Sequence, residues 1–173
     1  MLNIPEYKEY GGETKIALMD NSSLAFMHEL SQRSYPSDRI LSVYDLILIP
    51  KWVMEEIEDS TYRSTYVEQL QAQGYPIRWI DETKYGAFVN DEDVNLYYIV
   101  EAAVSRVSEL MRFLRRKVKT EDLIDLPSAE EWMNQLYDEW PIYGRTLSTG
   151  RILKKNAGEI SLTILAEIFA WYH

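Results

Sequence analysis

KIALMD, residues 15–20, and DLILIP, residues 45–50, decide how this chain is to be read. Each is a short, nearly continuous apolar run that ends abruptly, the first at an acid and the second at a proline. Runs of this length without alternation suit strands buried on both faces, as in parallel sheets. Each is followed by a helical pattern. Asn21, Ser22 and Ser23 precede LAFMHEL, a helix-start signal. Pro50 stops the second strand and opens KWVMEEIEDS as a helix, a position that proline tolerates.

Working outward, YPSDR at 35–39 reads as a loop. A further helix near 61–73 ends at Gly74, and YPIRWID at 75–81 is a third strand. The order β-α-β-α-α-β predicts an α/β fold with a short parallel sheet covered by helices. Tyr97, Val100, Val104, Val107, Met111, Leu114 and Val118 then follow a 3-4-3-4-3-4 spacing. That predicts one helix of about 25 residues, roughly 37 Å long, with a heptad-like seam. The seam either packs on its own domain or protrudes to pair with a partner or a second copy. Ser128 is expected to cap a helix over SAEEWMNQLYDEW that Pro141 ends. Residues 142–155 read as a basic loop, and NAGEISLTILAEIFAWYH closes the chain as an apolar helix. We read 1–173 as one domain, with 94–140 a largely helical insertion.

Composition sets outer limits. With 173 residues and 46% apolar content the chain can bury a core. No apolar run is long enough to cross a membrane, and the polar start lacks a signal peptide's apolar stretch, so a cytoplasmic protein is expected. The absence of cysteine excludes thiol chemistry, and no His pair at metal spacing supports zinc. The net charge of −10 opposes nucleic-acid binding as a whole. Its distribution is uneven. Residues 1–105 hold 8 basic and 18 acidic side chains, and 106–173 hold 10 of each. Arg145, Arg151, Lys154 and Lys155 form one basic patch, and Arg106, Arg112, Arg115, Arg116, Lys117 and Lys119 a second.

Three acids are placed where a parallel sheet exposes ligands, at the carboxyl ends of its strands. Asp20 ends the first strand. Glu56 lies about two turns into the helix after the second. Glu159 is in the first turn of the last helix. Duller roles exist for each: a helix cap for Asp20, a solvated face for Glu56, a favourable N-terminal acid for Glu159. Asp91, Glu92 and Asp93 form another acidic run, read as helix-start chemistry or as a source of one further site acid.

KIALMDNSSL, LILIPKWVMEEI and NAGEISLTILA resemble, in order, three signatures of the PIN-domain superfamily: a strand ending Asp-x-Ser/Asn, a strand-proline-helix carrying a glutamate, and a Gly-Glu helix opening. The resemblance implies a three-layer α/β/α fold and a metal-dependent nuclease, commonly an endoribonuclease. Asp20, Glu56 and Glu159 would be the catalytic and metal-ligating residues, and Ser22 would orient Asp20 or a metal-bound water. Mg²⁺ or Mn²⁺ suits such oxygen ligands, because clustered carboxylates repel unless a cation balances them. RNA, or single-stranded DNA, would be the substrate, with the patch of Arg145, Arg151, Lys154 and Lys155 toward phosphate. Toxin-type members of the superfamily imply a neutralising protein partner. The resemblance also implies another acid on or after a strand following the Gly-Glu helix, beside the first strand. The sequence reaches His173 before it, so the first strand's edge is expected to be uncovered. A shortened chain, a strand supplied by a partner and a degenerate, non-catalytic interaction module are all compatible with that. A weaker alternative is an acidic protein that mimics phosphate charge.

Overall fold

The computed structural model describes residues 2–89, 93–118 and 127–172. It is a mixed α/β fold. Three parallel strands, β1 (Ile16–Leu18), β2 (Leu46–Pro50) and β3 (Ile77–Ile80), lie in the order β1-β2-β3. Ile16 is in register with Leu46, and Ile47 with Ile77. A short hairpin, β4 (Tyr143–Thr146) and β5 (Ile152–Lys154), stands apart from this sheet.

β2 is the central wall. All five of its residues are buried, so water exclusion favours each of them and there is no polar alternation to pay attention to. Its pleat sends alternate side chains to opposite faces. Ile47 and Ile49 enter one core with Met19, Leu24, Val53, Ile57, Val67 and Leu70. That layer is built by the crossovers: α1 (Asn21–Gln32), α2 (Lys51–Glu58) and α3 (Thr61–Ala72). Leu46 and Leu48 enter the other core, with Val100, Leu110, Trp132, Ile164 and Leu165. That layer comes from α4 (Asp93–Val104), α5 (Ser108–Lys117), α6 (Ala129–Glu139) and α7 (Ala157–Tyr172). The helices of 94–140 therefore form one face of the sandwich together with α7.

The single 25-residue helix is not formed. Residues 105–107 turn between α4 and α5, with Val107 N–H donating to Val104 O at 2.9 Å. The spacing survived the break because both short helices put the same stripe inward. Tyr97, Val100, Val104, Leu114 and Val118 are buried, and Val107 and Met111 are half-buried against the same core. The seam is thus occupied by the chain's own interior, the first of its two sequence readings.

Residues 142–155 are not a plain loop either. They pair as the β4–β5 hairpin, with Tyr143 opposite Lys154 and Thr146 opposite Ile152. Its turn uses Gly150 at φ 82°, a left-handed conformation that glycine takes without a Cβ clash. A 3-10 turn, Ser37–Val43, takes up part of the loop expected at 35–39, and another, Glu82–Phe88, follows β3. The helix after Ser128 is as expected, opened by a reciprocal capping box between Ser128 and Glu131.

The sheet has two different edges. Pro5–Tyr7 docks on β3, with Tyr7 N–H donating to Trp79 O at 2.7 Å and Trp79 N–H to Pro5 O at 3.1 Å. β1 has no strand on its outer side among the described residues. Its bonds to β2 run through Lys15 O and Met19 N–H, so the alternation of a parallel ladder turns the backbone groups of Ile16 and Leu18 outward. Among the described residues no helix is long and apolar enough to cross a membrane. Asp91, Glu92 and Lys119 lie outside the described residues.

Candidate functional site

Three elements deliver the acidic trio to one place. β1 ends at Leu18, and after Met19 Asp20 caps α1, accepting from Ser23 N–H at 2.7 Å. Its duller role is therefore real, and it coexists with a place in the cleft. β2 ends at Pro50, which leaves the first N–H groups of α2 without a side-chain cap. Residues just past β3 supply partners instead. Glu82 accepts from Trp52 N–H at 3.0 Å, and Lys51 pairs with Asp81 at 2.7 Å. With its start fixed, α2 turns Glu56 to the carboxyl edge of the sheet. α7 starts after Asn156, which has φ 58°, a conformation asparagine tolerates better than most residues. Gly158 then lies against α2: a Cβ there would stand 3.1 Å from Val53 Cγ2. That close approach brings the first turn of α7, with Glu159, beside Glu56.

The result is a small cleft of about 40 Å³, lined by Asp20, Asn21, Ser22, Glu56 and Glu159 over a floor of Val53, Gly158 and Leu162. All four residues named from sequence for catalysis are in it. Glu56 is half-buried and Glu159 exposed. Burial raises the Glu56 carboxyl above its ordinary range, and the negative charge of Glu159 raises it further; Arg145 and Asn21 act in the opposite direction. Sequence reasoning had not assigned Asn21 a role. Its Nδ2 donates to Glu56 Oε2 at 3.2 Å, while its Oδ1 is buried and accepts no hydrogen bond. The available signal was its position, directly after the acid that ends β1.

A divalent cation can be tested against these groups. The donor set is entirely hard oxygen: carboxylates, a hydroxyl and an amide oxygen, the set Mg²⁺ and Mn²⁺ prefer. Asn21 Oδ1 is an acceptor facing no donor, a costly state that a cation relieves. The residues fit the ion in kind. Among the described residues, no three His, Cys, Asp or Glu side chains stand close enough to hold one ion between them.

The basic patch of the hairpin is mostly engaged with protein. Arg145 pairs with Asp59 at 2.9 Å. Arg151 Nη2 lies 2.8 Å from Glu55 Oε1, an ion pair without hydrogen-bond alignment, and donates to Tyr137 Oη at 3.3 Å. Lys154 donates to Trp140 O at 2.6 Å. Lys155 is exposed and has no ion-pair partner among the described residues. His28, isolated in sequence, is buried against Tyr62 and Tyr66, and burial lowers its pKa.

Known protein families, curated proteins and solved structures offer no match to this chain.

Proposed function

We propose that this chain is a metal-dependent nuclease of the PIN-like kind, cleaving RNA phosphodiesters. One observation carries the reading. Asp20, Glu56 and Glu159, distant in sequence and delivered by three separate elements, line one cleft at the carboxyl edge of a parallel sheet. Open α/β sheets bind ligands at that edge. Capping of α1 accounts for Asp20 alone, and Glu159 makes Glu56 harder to ionise. Such a conflict is characteristic of a working site.

In this reading Asp20, Glu56 and Glu159 hold Mg²⁺ or Mn²⁺, with Asn21 Oδ1 as a further oxygen. When bound, such an ion polarises a phosphodiester oxygen and lowers the pKa of a coordinated water. The chain's own residues do the positioning. Asn21 orients the Glu56 carboxylate through its amide N–H. The Ser23 N–H fixes Asp20 through one oxygen and leaves the other available. Ser22 offers a hydroxyl at the cleft's rim.

The test is cleavage of RNA and of single-stranded DNA with Mn²⁺, comparing the unaltered chain with Asp20→Asn and with a chelator control. Cleavage abolished by both supports the enzyme, and RNA should be cut faster than DNA. Indistinguishable results for the two proteins reject it. They would favour the second reading, a non-catalytic interaction module on the same scaffold. The spread of the acids, too wide among the described residues to share one ion as they stand, is the observation on that side.

A further inference from the structure

A second charged region lies along α5, the turn before it and the foot of the hairpin; of its cations only Lys155 has a place in the nuclease reading. An open cleft of about 700 Å³ lies between the turn into α5 and the foot of the hairpin, lined by Arg106, Ser108, Tyr143, Lys155 and Asn156 among others. A second, of about 590 Å³, adjoins it through Ser108 and continues along α5 past Arg112, Arg115 and Arg116. Among the described residues, five cations and a single acid, Glu109, line the two, on a chain whose net charge is −10. The local sign is the reverse of the whole.

These cations are available to a ligand. Arg106, Arg112, Arg116 and Lys155 are exposed and have no ion-pair partner among the described residues. Arg115 alone is paired, with Glu101 at 3.4 Å. Solubility does not account for them, since an excess of acids already provides it. Tyr143 adds an exposed ring to the first cleft, with Lys154 Nζ 4.7 Å from its centroid. Cations in a groove with an exposed aromatic are the elements of single-strand recognition: charge follows the phosphates and the ring stacks on a base.

The location gives the track a direction. Asn156 lines the basic cleft, and Gly158 and Glu159, two and three residues later, line the acidic one. Only Ala157 separates the residues of the two linings in the chain, so the start of α7 touches both clefts.

We infer that the paired basic clefts bind the phosphate backbone of single-stranded RNA and lead it over the start of α7 to the acidic cleft. The direction of the track rests on the nuclease reading, but binding is measured independently of cleavage. The acidic remainder of the surface repels a polyanion and confines it to this face.

The experiment is fluorescence anisotropy with a labelled single-stranded RNA of about 20 nucleotides, in EDTA, across roughly 50–200 mM salt. The variants are Arg106→Ala with Lys155→Ala, Arg112→Ala with Arg116→Ala, and all four together. Lys8→Ala with Arg39→Ala serves as the control on another surface. All of these side chains are exposed, and circular dichroism checks that each variant is folded. Each cleft pair should weaken binding about tenfold, and the four together should reduce the slope of log K against log salt by about 3. The control pair should bind as the unaltered chain does. Equal affinity and slope in the cleft variants overturn the inference, as does absence of RNA binding at low salt. Polyglutamate competing as well as RNA, charge for charge, also overturns it, in favour of an acidic protein partner. Asp20→Asn should bind RNA normally in EDTA. Binding through the clefts without any cleavage would reject the nuclease reading and leave the track standing; cleavage unaffected by the cleft variants would do the reverse.

Discussion

Ser161 donates its hydroxyl to Glu82 Oε1 at 2.8 Å, deep between the 3-10 turn after β3 and the helix α7. Tyr85 shares a short hydrogen bond with the same hydroxyl. Glu82 is 1% exposed, and its Oε2 has no hydrogen-bond partner. Burial pushes its pKa up to about 7, against the Trp52 N–H and the Ser161 hydroxyl, which favour the anion. The folded pKa is raised above the unfolded one. The folded state therefore prefers the neutral acid, and stability contributed by this group is fully present below the unfolded pKa and lost as pH rises through 7. Between about pH 5.5 and about pH 8 the loss is about 2 kcal/mol. Urea unfolding at the two pH values measures it. Glu82→Gln keeps an acceptor for Trp52 and Ser161 and should flatten the profile; a profile unchanged by the substitution would refute the assignment.

The acidic cleft predicts a gain in stability on losing an acid. Glu159→Gln removes a charge that opposes ionisation of Glu56. The pair is only partly buried, so the expected gain at neutral pH is about 0.5 kcal/mol, or a melting temperature 1–2 °C higher. Mn²⁺ should raise the melting temperature of the unaltered chain more than that of the variant. A drop in stability without metal would mean that Glu159 makes a favourable contact the cleft does not explain.

Asp59 latches the hairpin. It ends α2, pairs with Arg145 and accepts from Ser148 N–H at 2.6 Å. That N–H, chiefly, holds its carboxyl below the ordinary range. The latch is therefore present above the unfolded pKa and lost as pH falls through the folded one. Asp59→Ala should speed hydrogen exchange at the Ser148 amide about tenfold while leaving β2 protected. Unchanged exchange at Ser148 would show that the turn holds without the latch.

Gly86 has no room for a side chain. A Cβ there would overlap Ala129 Cβ, at the start of α6. Gly86→Ala should cost about 2 kcal/mol by forcing α6 away from the 3-10 turn. Ala129→Gly in the same chain should recover most of the loss, and a double-mutant cycle reads the coupling. Additive effects would mean that the two positions do not meet.

The parts of this fold that could be read from sequence are those set by local runs. Residues 46–49 are apolar on both faces because both faces are covered, and the pattern says so directly. Asp20 and Glu56 follow from where such strands stop. The break at 105–107 could not be read, because Val104, Val107 and Met111 keep the spacing of one helix while the backbone turns between them. The hairpin was hidden for the opposite reason. All four residues of β4 are exposed, so no burial pattern marks it, and its register is held by side chains reaching back to α2. Asn21 was legible as a position but not as a partner, since its bond to Glu56 spans 35 residues.

β2 belongs equally to two interiors, Leu46 and Leu48 on one side and Ile47 and Ile49 on the other. Neither layer of helices has a wall of its own. Detaching either one would expose a face of the same strand, so the two layers are not independent folding units. The amides of β2 should exchange only when the entire molecule opens, at the rate set by global stability. An ion or polynucleotide bound at the edge of the sheet would then slow exchange at β2 without touching it, and that slowing measures binding free energy with no need to observe chemistry.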